Sequence, residues 1–175
     1  MARRAPVPRY GGVVDNPREF LLKAVREFVR SARKCPGVLR IALVGSLTTT
    51  KPSPKDADML VTIEDGLDLD LLAKAGRRLK GSAQTINLGG DIFLADERGV
   101  YIGRICSYRE CRPRVRCEAR HCGQREHLND DLDCVTLSAD LIASPPLVLW
   151  PEIARNAKLP EDVERLLIAK LEKAG

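Results

Sequence analysis

Aromatic residues are scarce in this chain of 175 residues: Phe, Tyr and Trp together make up 4% of it. The hydrophobic fraction is nevertheless 44%, so we expect a core built from Leu, Val, Ile and Ala. No apolar run approaches the roughly 20 residues of a membrane-spanning helix, which predicts that the protein has no membrane partner. The basic start of the chain has no apolar segment behind it, so it does not resemble a secretion signal and we expect a cytoplasmic protein.

Length and net charge limit the number of domains and the kinds of partner that we expect. The length favours one domain, and we predict an irregular basic tail over residues 1–15 and one domain over 16–175. That domain includes a Cys/Arg-rich insertion over 106–134. The net charge of +5 and the pI near 9.0 favour anionic partners, with nucleotides and RNA as the obvious candidates.

Hydrophobic periodicity predicts helices that alternate with short strands. Asn16 is a suitable cap for the first helix, with Pro17 in its first turn, and Pro36-Gly37 ends it. The predicted strands cover residues 38–44, 58–63, 91–95, 100–105 and 135–137, and two further helices cover 68–78 and the region after Pro160. An apolar segment, 147–150, is expected to pack back on the core. This order of elements indicates an α/β (α+β) fold.

The segment between the first two predicted strands carries the strongest chemical signal. It opens with Gly45-Ser46 and closes with Asp56-Ala57-Asp58. Because Asp56 and Asp58 are two residues apart, an extended strand places both side chains on one face. Adjacent carboxylates repel each other unless a cation lies between them, and Mg²⁺ is commonly held by carboxylates together with substrate phosphates. The pattern therefore indicates a metal ion and a nucleotide phosphate.

This pattern resembles the active-site signature of the DNA polymerase β-like nucleotidyltransferase superfamily, and most closely its minimal nucleotidyltransferase branch. The signature is a Gly-Ser turn, then Asp-x-Asp entering an apolar strand, with a third carboxylate on a later neighbouring strand. Asp91 is the best match for the third acid, while Asp130, Asp131 and Asp133 are alternatives. The resemblance covers about residues 38–95. It implies a nucleotidyltransferase-like fold with a small mixed β-sheet flanked by helices.

The resemblance also implies an activity, the transfer of a nucleoside monophosphate from an NTP to a hydroxyl acceptor with release of pyrophosphate. Asp56 and Asp58 would hold one or two Mg²⁺ ions against the triphosphate. Asp91 would bind the second ion and help to deprotonate the attacking hydroxyl. The acceptor would be RNA, a protein hydroxyl or a small molecule. Ordinary turn and capping chemistry is the alternative explanation for these acids.

Four residues are candidates for binding the nucleotide: Gly45, Ser46, Lys51 and Lys55. Gly45 lets the backbone approach a phosphate closely, and Ser46 with the following N–H groups can donate hydrogen bonds to phosphate oxygens. The two lysines lie in the loop and could meet the β- and γ-phosphates. This loop departs from the family pattern, because residues 48–50 are three threonines where a small Gly and an Arg are often found.

A run of cysteines suggests a second, structural metal. Cys106, Cys111, Cys117 and Cys122 are separated by four, five and four residues, with His121 as a substitute ligand. These spacings are not the C-x2-C pairs of zinc ribbons, yet four such groups could enclose a structural Zn²⁺. Free thiols are an alternative. Disulfides are a third reading, against which the expected cytoplasmic location argues.

The same insertion holds six arginines, which suit phosphate contacts, and one tyrosine, which gives little support for base stacking. It could hold an RNA acceptor or form a solubilising surface. Two functions outside enzyme catalysis also fit the sequence: a catalytically silent nucleotidyltransferase-like module, and a zinc-stabilised RNA-binding protein. The small size also permits membership of a toxin–antitoxin pair.

Overall fold

The computed structural model describes residues 15–107, 125–130 and 132–174. Within these ranges the chain forms a mixed α/β fold around a seven-stranded sheet, which agrees with the predicted fold class. The strands are β1 (Val38–Val44), β2 (Asp58–Ile63), β3 (Ile92–Ala95), β4 (Tyr101–Ile105), β5 (Leu128–Asn129), β6 (Leu147–Trp150) and β7 (Ala154–Arg155). The helices are α1 (Pro17–Ala32), α2 (Asp70–Gln84), α3 (Ala139–Ala143), α4 (Glu161–Val163) and α5 (Ala169–Glu172).

The strand order is β5-β4-β3-β2-β1-β6-β7. Only β2 and β3 are parallel neighbours, and α2 connects them; every other pair in this order is antiparallel. Between β1 and β2 the chain makes a 3₁₀ turn, Gly45–Thr48, and a π-helical stretch, Glu164–Ile168, joins α4 to α5. The end of β1 and the starts of β2 and β3 therefore lie side by side at one end of the sheet.

Helix α1 begins where the sequence predicts it. The Asn16 side chain accepts a hydrogen bond from the backbone N–H of Glu19 at 3.2 Å, and Pro17 occupies the first turn, where its missing N–H costs nothing. The apolar face of the helix is buried against the sheet and α2. Gly37 follows with φ +83°, the left-handed conformation that glycine adopts without strain, and leads the chain into β1.

The two faces of the sheet are covered unequally. Helices α1 and α2 and the segment from α4 to α5 pack on one face, where they bury the main core with residues such as Leu21, Ile41 and Leu72. The opposite face carries a smaller cluster of Ala42, Val44, Leu60, Ala95, Tyr101 and Ile142, covered by α3. The second face is therefore less thickly covered in the described part of the chain.

Two of the predicted elements differ from the structure. Residues 135–137 are not a strand, because Val135 and Leu137 pack their side chains over the smaller cluster on the face of the sheet. Helix α2 runs to Gln84 instead of residue 78, because its buried face continues through Leu79 and Ala83. The apolar segment at 147–150 packs on the core as predicted, and it does so as β6, paired with β1.

Much of the predicted tail, residues 1–14, and most of the Cys/Arg-rich segment, residues 108–124, lie outside the described ranges. Among the helices that are described, none has the length and apolar character needed to cross a bilayer.

Candidate functional site

The pairing of β1 with β2 places the Gly-Ser turn beside the second acid of the Asp-Ala-Asp motif. Val44, the last residue of β1, lies opposite Asp58, the first residue of β2. Gly45 follows at once, with φ +75°. A Cβ atom on Gly45 would lie 2.9 Å from Oδ2 of Asp58, so glycine is needed both for its backbone angle and for the space that the carboxylate occupies.

The parallel pairing of β2 with β3 brings the third acid alongside. Met59 lies opposite Ile92, and the backbone N–H of Met59 donates to the carbonyl of Asp91 at 2.9 Å. The preceding residues, Asp58 and Asp91, are therefore neighbours at the starts of adjacent strands. Since β-strand side chains alternate between faces, both acids belong to the face that carries Leu60 and the smaller cluster.

Asp56 extends the same row of acids. It forms an isolated parallel bridge with Gly89, two residues before Asp58, so its side chain lies on the same face as that of Asp58. Oδ1 of Asp56 fills the space that a Cβ atom on Gly89 would need. Gly89, which precedes β3, thus leaves room for the carboxylate of Asp56.

The three acids repel one another. Burial, together with the negative charges of Asp56 and Asp91, raises the pKa of Asp58 to about 6. The backbone N–H of Asp91 donates a hydrogen bond to the Asp58 carboxylate and partly opposes the rise in pKa. The site therefore concentrates negative charge in a partly buried place, which is a chemical setting that favours a cation.

Two cations already contact the third acid. Nζ of Lys80, on α2, lies 3.5 Å from Oδ1 of Asp91, and Nη1 of Arg104, on β4, lies 3.4 Å from Oδ2. Lys80 also donates to the hydroxyl of Ser107 at 2.9 Å. In the part of the chain that the structure describes, no group of three or more His, Cys, Asp or Glu side chains is arranged to hold a metal ion.

Sequence reasoning missed both of these cations. Lys80 lies beyond residue 78, the predicted end of its helix, so the predicted elements do not place it near the acids. Arg104 could have been found, because the predicted hairpin places the strand that contains it beside the strand that follows Asp91. Phe93 pairs with Arg104 in the observed ladder, and Asp91 is two residues away on the same face.

The threonines after Ser46 complete the turn internally. The Thr48 hydroxyl donates to the carbonyl of Gly45 at 2.7 Å, and the Thr49 hydroxyl donates to the carbonyl of Ser46 at 2.8 Å. These bonds add side-chain donors to the carbonyls of the turn, and the Ser46 carbonyl also accepts from the backbone N–H of Thr49 at 3.1 Å. The threonines therefore hold the Gly-Ser turn in shape, and Ser46 itself is half-buried at the same edge of the sheet.

Arg18 fastens the remainder of this loop. Its Nη2 donates to the carbonyl of Leu47 at 3.1 Å and its Nη1 to the carbonyl of Lys51 at 2.9 Å. The same guanidinium pairs with Asp162 of α4, with 2.6 Å between Nε and Oδ2. The side chains of Lys51 and Lys55 are exposed beyond this anchor, and their contact with a triphosphate stays a prediction.

The other candidate residues divide between described and undescribed parts of the chain. Cys106 is buried at the end of β4, and Cys35, Cys106 and Cys134 are free thiols. Cys111, Cys117, Cys122 and His121 lie outside the described residues, so the zinc site stays a prediction. Asp130 and Asp133 are exposed after the edge strand β5, which β4 and β3 separate from β2.

No family model matches this chain, and no curated protein or solved structure does either.

Proposed function

We propose that the protein is a metal-dependent nucleotidyltransferase that moves a nucleoside monophosphate from an NTP to a hydroxyl acceptor and releases pyrophosphate. One observation carries the proposal: Asp58 and Asp91 begin adjacent parallel strands, and Asp56 shares their face. The Gly-Ser turn packs against the same carboxylate of Asp58. This is the arrangement that the sequence signature predicts, and it supports a fold of the DNA polymerase β-like kind.

The donor set fits Mg²⁺. Carboxylate oxygens are the ligands that this ion prefers, and the raised pKa of Asp58 reflects a local excess of negative charge that a divalent cation would relieve. Asp56, Asp58 and Asp91 would hold two ions, and Asp91 would exchange its contacts with Lys80 and Arg104 for one of them. Bound Mg²⁺ would neutralise the charge on the triphosphate and on the entering and leaving oxygens.

The chain's own residues would supply positioning and proton transfer. Backbone N–H groups after Gly45 and the Ser46 hydroxyl would donate to triphosphate oxygens, with Lys51 and Lys55 against the outer phosphates. A carboxylate oxygen of Asp91 would accept the proton of the acceptor hydroxyl while the hydroxyl oxygen bonds to the α-phosphorus. The bond to the bridging oxygen then breaks, and pyrophosphate leaves with the electron pair.

The test is label transfer. Purified protein is incubated with Mg²⁺ and each NTP labelled at the α-phosphate, with and without total RNA. We expect transfer by the wild type, and a loss of at least about 100-fold in Asp58→Ala, on the scale of removing one electrostatic contact to a transition state. Asp133→Ala is the control, because this exposed acid is an alternative third carboxylate away from the site. Near-normal transfer by folded Asp58→Ala would reject the mechanism.

A second candidate is a catalytically silent module of the same fold that binds nucleotide or RNA. The contacts of Asp91 with Lys80 and Arg104 favour it, because they already neutralise the third carboxylate. Such a module would bind an NTP without needing Mg²⁺ and would transfer no label. Equilibrium dialysis of labelled ATP with EDTA present or with Mg²⁺ present separates the two functions.

A further inference from the structure

A groove of about 640 Å³ lies along the outer side of α2, beside the acids and not over them. Four cations line it, Lys74, Arg77, Arg78 and Lys80, against one acid, Asp70. Residues 70, 74, 77 and 78 follow helical spacing, so their side chains form a stripe along one side of α2. The groove is therefore strongly basic over several turns of helix.

The cations in the groove differ in how they are held. Lys74 pairs with Asp70 at 2.7 Å, and Nη2 of Arg77 lies 3.0 Å from Nδ1 of His127. Arg78 is exposed. Lys80 lies at the end nearest the acids, where it contacts Asp91 and Ser107. Among the described residues, the carboxylates of Asp70 and Asp91 face four cations, which leaves a local excess of positive charge that suits an extended anion.

The rest of the lining restricts the kind of partner. The other described residues that line the groove are Gly81, Gln84 and Ser107, so no apolar side chain is among those that the structure describes there. Protein interfaces rely on apolar and aromatic anchors in a desolvated centre, and membrane-surface helices insert an apolar face. A polar, cationic groove of this kind suits neither, whereas phosphate groups need only charge and hydrogen-bond donors.

The length of the stripe points to a strand of phosphates instead of a single one. The lining residues of α2 run from 70 to 84, which corresponds to about 20 Å of helix at 1.5 Å per residue. That length exceeds the size of one phosphate group and matches several consecutive nucleotides. The shortage of aromatic side chains means that stacking would add little, so charge would supply most of the affinity.

We propose that the groove along α2 binds the phosphodiester backbone of a single-stranded nucleic acid, and that this strand is the acceptor. Lys80 joins the groove to Asp91, so a strand lying in the groove has one end directed toward the acids. The acceptor role depends on the proposed nucleotidyl transfer, but the binding does not. Sequence would matter little for this contact, because backbone phosphates are the same at every position.

Fluorescence anisotropy with fluorescein-labelled U20 RNA tests the binding, in EDTA and without NTP so that no transfer occurs. We expect the double variant Lys74→Glu with Arg78→Glu to weaken binding at least about tenfold at 100 mM KCl, and the slope of log K against log salt to shrink by about 1.4. The matched control is Lys170→Glu with Lys173→Glu, which changes the net charge equally at exposed positions on and just after α5.

Equal weakening by the two double variants, or wild-type binding by the groove variant, would overturn the proposal. So would competition by poly-L-glutamate as strong as that by unlabelled U20, since that indicates an acidic protein partner. Because Lys74→Glu also places a like charge beside Asp70, the neutral pair Lys74→Ala with Arg78→Ala must weaken binding too, with an unchanged circular dichroism spectrum. A dT20 arm shows whether the strand is RNA or DNA.

The two proposals fail in different ways. If U20 binds in the groove but no label is transferred under any condition, the nucleotidyltransferase is rejected and the binding site stands. If label is transferred but the groove variant binds U20 like the wild type, the acceptor lies elsewhere and the groove proposal is rejected alone.

Discussion

Asp58 has opposite effects on stability and on the proposed chemistry. Burial and the charges of Asp56 and Asp91 raise its pKa from 3.8 to about 6. Between about pH 4 and pH 6 the folded state therefore keeps a proton that the unfolded state has released. Stability falls as the pH rises through this window and stays lower above it. By the free energy per pKa unit, the loss is at most about 3 kcal/mol.

Asp58→Asn should therefore be more stable than the wild type at pH 7.5, by about 1 to 3 kcal/mol, because it removes a repelled charge. Below about pH 4 the difference in stability should vanish, since the Asp58 carboxyl of the folded wild type is protonated and uncharged there. Urea unfolding in EDTA at several pH values measures this. Asp133→Asn, at an exposed position, should leave the pH profile unchanged. An Asp58→Asn protein that is less stable than wild type at pH 7.5 would contradict the repulsion.

Gly45 offers a second test at the scale of one residue. Gly45 and Gly66 have nearly the same φ, +75° and +78°, so alanine at either position meets similar backbone strain, about 1 to 2 kcal/mol. A Cβ on Gly45 would approach Oδ2 of Asp58 at 2.9 Å, whereas one on Gly66 meets nothing within 4 Å. Gly45→Ala should therefore cost at least about 1 kcal/mol more than Gly66→Ala in urea unfolding. Equal costs would show that Gly45 serves only its backbone angle.

At the scale of elements, Arg18 connects three parts of the chain that are distant in sequence. From α1 it reaches the carbonyls of Leu47 and Lys51 in the loop and the carboxylate of Asp162 in α4. Arg18 is only 9% exposed, so these partners stabilise its positive charge where little water reaches it. Helices α1 and α4, which are distant from the acids in sequence, thus set the position of the loop after the Gly-Ser turn.

Arg18→Ala should cost about 3 to 5 kcal/mol, because it leaves the Asp162 carboxylate and two carbonyls without their partner. Arg155 supplies the matched control: it pairs with Glu164 at 2.8 Å with both side chains about 40% exposed. Arg155→Ala should cost less than about 1 kcal/mol, as exposed ion pairs do. Urea unfolding of both variants measures the difference, and similar costs would refute the role of burial.

The sequence predicted the elements that local signals control. The Asn16 cap and the strands at 38–44 and 58–63 needed only capping chemistry and continuous apolar runs, which are typical of buried strands. The strand proposed at 135–137 was wrong, because alternating apolar residues also suit a segment lying over a sheet face. Helix α2 was predicted too short, because its buried face continues beyond residue 78 through Leu79 and Ala83.

Across the whole molecule, register decides what the sequence could not show. Asp56 and Asp58 are two residues apart, so their shared face followed from strand geometry alone. Their proximity to Asp91 required the parallel ladder of β2 with β3, and that ladder depends on α2 crossing between them. Lys80 could not be placed beside Asp91 for a similar reason, because only the packing of α2 on the folded sheet brings it there.

The two faces of the sheet have different roles, one in stability and the other in carrying the acids. The helices bury the main core on one face, while the acids lie at one edge of the other face, which α3 and a few side chains cover. Substitutions at the acids therefore leave the main core untouched. This is why Asp58→Ala is expected to abolish transfer without unfolding the protein.

The ammonium group of Lys80 contacts the Asp91 carboxylate and the Ser107 hydroxyl at the wall of the groove. An anion that draws this ammonium toward the groove takes a counter-charge away from Asp91, which then holds a metal ion more firmly. By thermodynamic reciprocity, a metal ion on Asp91 must strengthen the attraction of the groove for that anion by the same factor. One lysine would thus make the two proposed binding events cooperative without any movement of the fold.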